Sequence, residues 1–207
     1  IYDVPLKMSE EGLNRVVLEK LNIKPKQALN LDNWNVFLTR FKNPKYKIKI
    51  GLVGKYVELQ DSYKSILESL IHAGAENETE VQVISLHSEY LNKENIQESL
   101  KFIDGLIVAP GFGERGIEGK ITAIKYAREN KIPFFGICLG MQMAVIEYAR
   151  NQVGLFDANS TEMLPNCKIP VIDLMESQKK IIKKGGTMRL GAWDCDLIEN
   201  THAADAY

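Results

Sequence analysis

The stretch Ile132-Pro133-Phe134-Phe135-Gly136-Ile137-Cys138-Leu139-Gly140-Met141-Gln142-Met143-Ala144-Val145-Ile146-Glu147-Tyr148 decides the fold. Its apolar opening reads as a short buried strand, and residues 141–148 read as a helix. Between them a cysteine stands between two glycines, the thiol counterpart of the Gly-x-Ser-x-Gly nucleophile elbow. Such a turn is too tight for flanking side chains, and it pushes its central residue into a strained conformation. The helix that follows aims its first N–H groups and its positive dipole end at the sulfur, which stabilises negative charge there.

Working outward in both directions, strand and helix patterns alternate. Residues 48–54, 81–86 and 105–111 are β-rich runs, and helical spacing falls at 61–73, 95–102 and 119–130. Parallel strands buried on both faces read as such apolar runs, so the order predicts an α/β fold with helices on both faces of a parallel sheet. Sites in such sheets lie beyond the carboxyl ends of the strands. Both glycine-rich turns, 111–116 and 136–140, fall at predicted strand ends. Residues 171–174 read as one further strand.

The N-terminal part has a different texture. Residues 9–22 show helical spacing with Ser9 as N-cap, and Trp34, Phe37, Leu38 and Phe41 form one apolar face of a helix over 32–41. That aromatic stripe reads as packing on a core or a neighbouring domain rather than as a ligand platform. Asn43-Pro44-Lys45 reads as a linker. The expected division is a linker and helical lead-in over 1–44 and a catalytic domain over 45–207. Ile1 is not an initiator Met and Thr201–Tyr207 carries no stop signal, so the chain reads as part of a longer polypeptide.

Bulk properties exclude several classes. The 207 residues are 45% hydrophobic and 26% charged with net charge −1, a globular composition without a field suited to nucleic acid or a membrane surface. The three cysteines, Cys138, Cys167 and Cys195, show no paired spacing, which fits a reducing compartment. Neither a basic-apolar leader nor a membrane-length apolar run occurs, so a cytoplasmic location is expected. Gly51-Leu52-Val53-Gly54-Lys55-Tyr56 lacks the spacing and hydroxyl of a phosphate loop.

A cysteine nucleophile with backbone donors aimed at a developing oxyanion points to acyl transfer through a thioester. The amide of Leu139, just after the nucleophile, is one natural donor. The amide of Gly111, on a neighbouring strand end, is a second. No metal-ligand pattern accompanies them.

Gly136-Ile137-Cys138-Leu139-Gly140-Met141-Gln142 resembles the nucleophile motif of class I (triad) glutamine amidotransferases, which carry a flavodoxin-like fold. The segments 54–65, 111–120, 159–163 and 185–191 resemble one branch of that family, the CTP synthases, and residues 1–6 resemble its join to a preceding synthetase domain. The resemblance implies that Cys138 attacks the side-chain amide of L-glutamine and releases ammonia for the ATP-dependent amination of UTP. It implies glutamine contacts at Gly111, Leu139, Gly140, Met141, Gln142 and Glu162, with Glu162 suited to the substrate α-ammonium. It implies no cofactor in this domain, ATP and Mg²⁺ in the synthetase domain, GTP as an allosteric activator and a homotetramer at full length. Competing readings are another class I amidotransferase or γ-glutamyl hydrolase, and a non-catalytic interaction or filament module. Arg189 suits an acidic partner at a domain interface or a brace within its own loop.

Two departures qualify the resemblance. Ala109-Pro110-Gly111-Phe112-Gly113 stands where the family usually has Pro-Gly-Gly-Phe-Gly, so a peptide flip there should be stiffer. The family's catalytic His and orienting Glu belong to a His-Pro-Glu motif beyond Tyr207. His72, His87 and His202 read as surface or packing residues, and little or no glutaminase activity is expected from residues 1–207 alone.

Overall fold

A computed structural model describes residues 1–174 and 194–206. Three helices come first: α1 (Val4–Glu10), α2 (Leu13–Lys20) and α3 (Asp32–Lys42). They are followed by β1 (Tyr46–Gly54), a 3₁₀ turn (Gln60–Tyr63), α4 (Lys64–Glu76), β2 (Thr79–His87), α5 (Ile96–Leu100) and β3 (Gly105–Val108). Then come α6 (Ile117–Glu129), β4 (Phe134–Gly136), α7 (Leu139–Asn151), β5 (Ala158–Ser160), β6 (Ile169–Ile172) and α8 (His202–Ala206).

Four strands form a parallel sheet in the order β2-β1-β3-β4. This is the doubly wound arrangement expected of βαβ units with right-handed crossovers. Side chains alternate across it. Val53, Leu106 and Val108 join Ile117, Ile121 and Ile124 of α6 and Leu139, Met143 and Ile146 of α7 in one core. Leu52 and Ile107, paired in register, join Ile66 and Leu67 of α4 and buried Tyr63 in the other. Helices therefore cover both faces, as the alternation predicted.

The element boundaries shift in instructive places. The single helix expected over 9–22 is two helices, because Gly12 adopts φ 73° between them and turns the chain. Ser9 lies inside α1 rather than capping a helix. The aromatic stripe packs as expected. Phe37 stacks on Trp34 and Phe41, and the rings of Tyr2 and His72 meet its edges. The Tyr2 hydroxyl bonds the Glu68 carboxylate, and burial, reinforced by that carboxylate, pushes its pKa up to about 12. The strand expected at 171–174 lies at 169–172 and pairs in parallel with β5, a partner the sequence pattern did not disclose. Residues 179–191, including the 185–191 block and Arg189, lie outside the described residues. No helix among the described residues is long and apolar enough to cross a membrane.

Candidate active site

Strands β1, β3 and β4 end side by side, so Lys55, residues 109–113 and Cys138 emerge at one edge of the sheet. Cys138 has φ 54° and ψ −109°, the strained backbone of an elbow, and its side chain is exposed. The glycines around it are steric necessities. A β-carbon on Gly136 would stand 2.6 Å from the Gly140 carbonyl carbon and the Met141 nitrogen, and one on Gly140 would stand 2.1 Å from the Val108 oxygen. The helix α7 thus starts in direct backbone contact with β3 and β4. Ile137 N–H donates to the Val108 carbonyl at 3.0 Å and locks the elbow to the sheet.

Gly111 and Leu139, the expected oxyanion donors, are neighbours. A β-carbon built on Gly111 would be 3.4 Å from Leu139 Cδ2, so the two residues abut. Among the described residues neither amide donates to a protein acceptor, which leaves both for a ligand. Gln142 is half-buried one turn along α7, and its side chain has no partner among the described residues. Gly140 is buried, and Met141 is half exposed beside it.

Glu162 arrives from the small sheet. Thr161 is tied to β6 through its amide, which donates to the Ile172 carbonyl, and its hydroxyl, which donates to Asp173. Met163 is buried in the larger core. With both neighbours anchored, Glu162 turns toward the 109–113 loop, where Oε1 accepts from Gly113 N–H at 3.4 Å. A groove of about 960 Å³ between α2 and residues 22–30 shares no lining residue with this constellation.

Two lysines beneath the loop were not anticipated as site residues. Lys120 of α6 is fully buried, and Nζ donates to the Ala109 carbonyl at 2.7 Å. Burial, and then the nearby Lys55 ammonium, push its pKa down to about 8, with Cys138 pulling the other way. Lys55 is also buried, and its Nζ donates to the carbonyls of Phe112 at 2.5 Å and Gly113 at 2.8 Å. Burial again lowers its pKa, aided by Arg115 and opposed by Glu162 and Glu89. Helical spacing held the signal for Lys120, which lies three residues after Ile117 and four before Ile124, on the core face.

No histidine stands next to Cys138 among the described residues. His72 belongs to the aromatic cluster and His202 to α8. His87 ends β2 and stacks on Tyr90 at the far edge of the sheet, three strand spacings or about 14 Å from β4.

A strained cysteine at a strand–helix turn, with free amides beside it, has the geometry of a nucleophile elbow on a doubly wound sheet. A sequence profile described as "Glutamine amidotransferase class-I" matches residues 58–205, and the chain belongs to that family. Its relatives include CTP synthases from Flavobacterium johnsoniae (63% identical), Flavobacterium psychrophilum (65%) and Methanocaldococcus jannaschii (54%), each aligned over the whole chain. The chain spans only 38% of the two Flavobacterium proteins and 39% of the third. Among solved structures it resembles the glutaminase domain of a Trypanosoma brucei CTPS with bound acivicin, at TM-score 0.60 and 38% identity. That match covers 64% of this chain and 52% of the other.

Proposed function

We propose that this chain is the glutamine-hydrolysing domain of a CTP synthase. The observation that carries this is the strained Cys138 with the free Leu139 amide beside it and Gly111 against Leu139. Cys138 Sγ attacks the side-chain carbonyl carbon of glutamine, and the amides of Gly111 and Leu139 hold the resulting oxyanion. The C–N bond then breaks and the nitrogen takes a proton to leave as ammonia, giving a γ-glutamyl thioester. Water adds to the thioester carbonyl and the C–S bond breaks, which frees glutamate and restores the thiol. The sum is glutamine plus water to glutamate plus ammonia. Glu162 binds the substrate α-ammonium, and Gly140, Met141 and Gln142 line the amide end.

The ammonia serves a synthetase domain of the same polypeptide that uses ATP and Mg²⁺ to convert UTP to CTP, with GTP as activator. Similarity that runs through the 1–44 lead-in as well as 45–207 supports this reading over another thiol hydrolase or a non-catalytic module. We assign the whole protein to a cytoplasmic homotetramer. The general base comes from outside the described histidines, so residues 1–207 alone should turn over glutamine at no more than a trace rate. In the full-length protein, Cys138→Ala should abolish glutamate release and glutamine-dependent CTP formation while ammonium salts still support CTP formation. Glutamate release surviving the substitution, or ammonium-driven synthesis disappearing with it, would overturn the reading.

A further inference from the structure

We propose that Lys120 is a positioning residue of the glutaminase site, holding the Ala109 carbonyl so that Gly111 presents its amide to the oxyanion and adding positive charge beneath it. The inference rests on the glutaminase reading above.

Ala109 is held from both sides. Its amide donates to the Val53 carbonyl at 2.9 Å, and its carbonyl accepts from Lys120 Nζ at 2.7 Å. The β-carbon position of Gly111 is 3.8 Å from that Nζ and 3.4 Å from Leu139 Cδ2, so one residue touches both the ammonium and the elbow. Lys55 extends the pattern along the loop. In a planar trans peptide the carbonyl and the next N–H point in opposite directions. Holding the Phe112 carbonyl on Lys55 therefore turns the Gly113 N–H away from the lysines, toward Glu162.

Anchoring a carbonyl does not require a charge. A neutral donor would serve, and burying an ammonium without a carboxylate is costly. Among the described residues Lys120 forms no ion pair. The charged and titratable groups around it are Lys55 at the end of β1 and Cys138 before α7, and Lys55 in turn faces Arg115, Glu162 and Glu89. The uncompensated positive charge next to Gly111 is what an oxyanion, but not a resting loop, makes use of.

The test uses full-length protein and two reagents on Cys138, mapped by mass spectrometry. A chloroketone analogue of glutamine places its ketone oxygen where the amide oxygen would lie, and displacement of chloride by Sγ forms the C–S bond. Iodoacetamide alkylates the same sulfur without using the oxyanion donors. Thiol ionisation enters both rates alike, so their ratio isolates the donors. Lys120→Met should slow chloroketone labelling about 10–100-fold and iodoacetamide labelling by less than about threefold. The chloroketone's own α-ammonium titrates in both proteins, so the variant supplies the reference: as pH rises through about 8, where Lys120 loses its proton, the ratio should fall more steeply in the wild type than in Lys120→Met. An unchanged ratio in the variant at pH 7, or wild-type and variant ratios that fall in parallel from pH 7 to about 10, would overturn the proposal. If Lys120→Met does not fold, Lys120→Arg, which keeps its charge over this range, is the reference: its ratio should fall less steeply than that of the wild type, and parallel profiles would overturn the proposal. Failure of the chloroketone to label wild-type Cys138 at all would count against the glutaminase reading itself.

Discussion

Gly140→Ala tests the claim that the elbow is set by backbone contact. The added methyl would stand 2.1 Å from the Val108 oxygen and 2.8 Å from its carbonyl carbon. Reaching the 3.4 Å of ordinary contact requires α7 to back away from β3 by about 1.3 Å. Neither neighbour is a flexible side chain tip, and the helix is held by Leu139, Met143 and Ile146 in the core. Overpacking of this kind costs about 1–3 kcal/mol. For a domain of this size that lowers the melting temperature by about 2–12 °C. The larger effect should fall on chemistry, because Cys138 and the Leu139 amide move with the start of α7. A displacement near 1 Å at reacting atoms costs about 10²-fold in rate. Gly154→Ala is the control: Gly154 has φ 80° but no atom within 4 Å of the added carbon. It should lose only the left-handed conformation's preference, about 1–2 kcal/mol, with glutamate release intact. Calorimetry and glutaminase kinetics on full-length protein read both effects. If Gly140→Ala keeps wild-type kinetics, the elbow is not positioned by this contact and the reasoning fails.

Three further substitutions probe separate parts of the structure. Glu162→Gln keeps the shape and removes the charge offered to the substrate ammonium; KM for glutamine should rise about 10–100-fold with kcat nearly unchanged, and an unchanged KM would exclude the clamp. Arg128 makes a bidentate pair with Glu147, whose side chain is 1% exposed, so Arg128→Ala should cost about 3–5 kcal/mol by leaving a buried carboxylate with only the Asn151 side-chain amide as donor. A loss under about 1 kcal/mol in urea denaturation would contradict that. Lys120 has its pKa near 8 when folded against an ordinary 10.5. Below pH 8 both states hold the proton and the native state bears the full burial penalty. Between 8 and 10.5 the native state sheds its proton first, so native stability rises with pH. Lys120→Met should therefore be more stable than wild type at pH 7, on the order of 3 kcal/mol, with the gain shrinking from pH 8 to 10.5. A pH-independent difference would refute the burial argument.

Much of the sheet was legible because parallel strands buried on both faces leave continuous apolar runs, as in 105–108 and 50–53. What escaped depended on tertiary context. Glycine at position 12 costs a helix about 1 kcal/mol, which the hydrophobic period does not register, so periodicity alone ran across it. Strand β5 is three residues long, Ala-Asn-Ser, and exists because β6 pairs with it and Met163 buries beside it. Neither condition is a property of the segment.

At the site, the glycines were the legible residues, since glycine spacing reports close approach directly. Gly136 and Gly140 mark the elbow, and Gly111 meets Leu139 as the strand ends suggested. The side chains beneath the loop were harder. Lys55 and Lys120 lie 65 positions apart and converge because Val53 pairs with Val108, which sets the residue after β1 under the loop after β3. Lys120 on the core face of α6 could have been flagged as a buried charge, and a pairing carboxylate would then have been the natural expectation. The structure offers a carbonyl instead. A helix can satisfy a buried lysine with any acceptor, but only the acceptor's position, one residue from a free amide, turns that lysine from a packing oddity into part of the site.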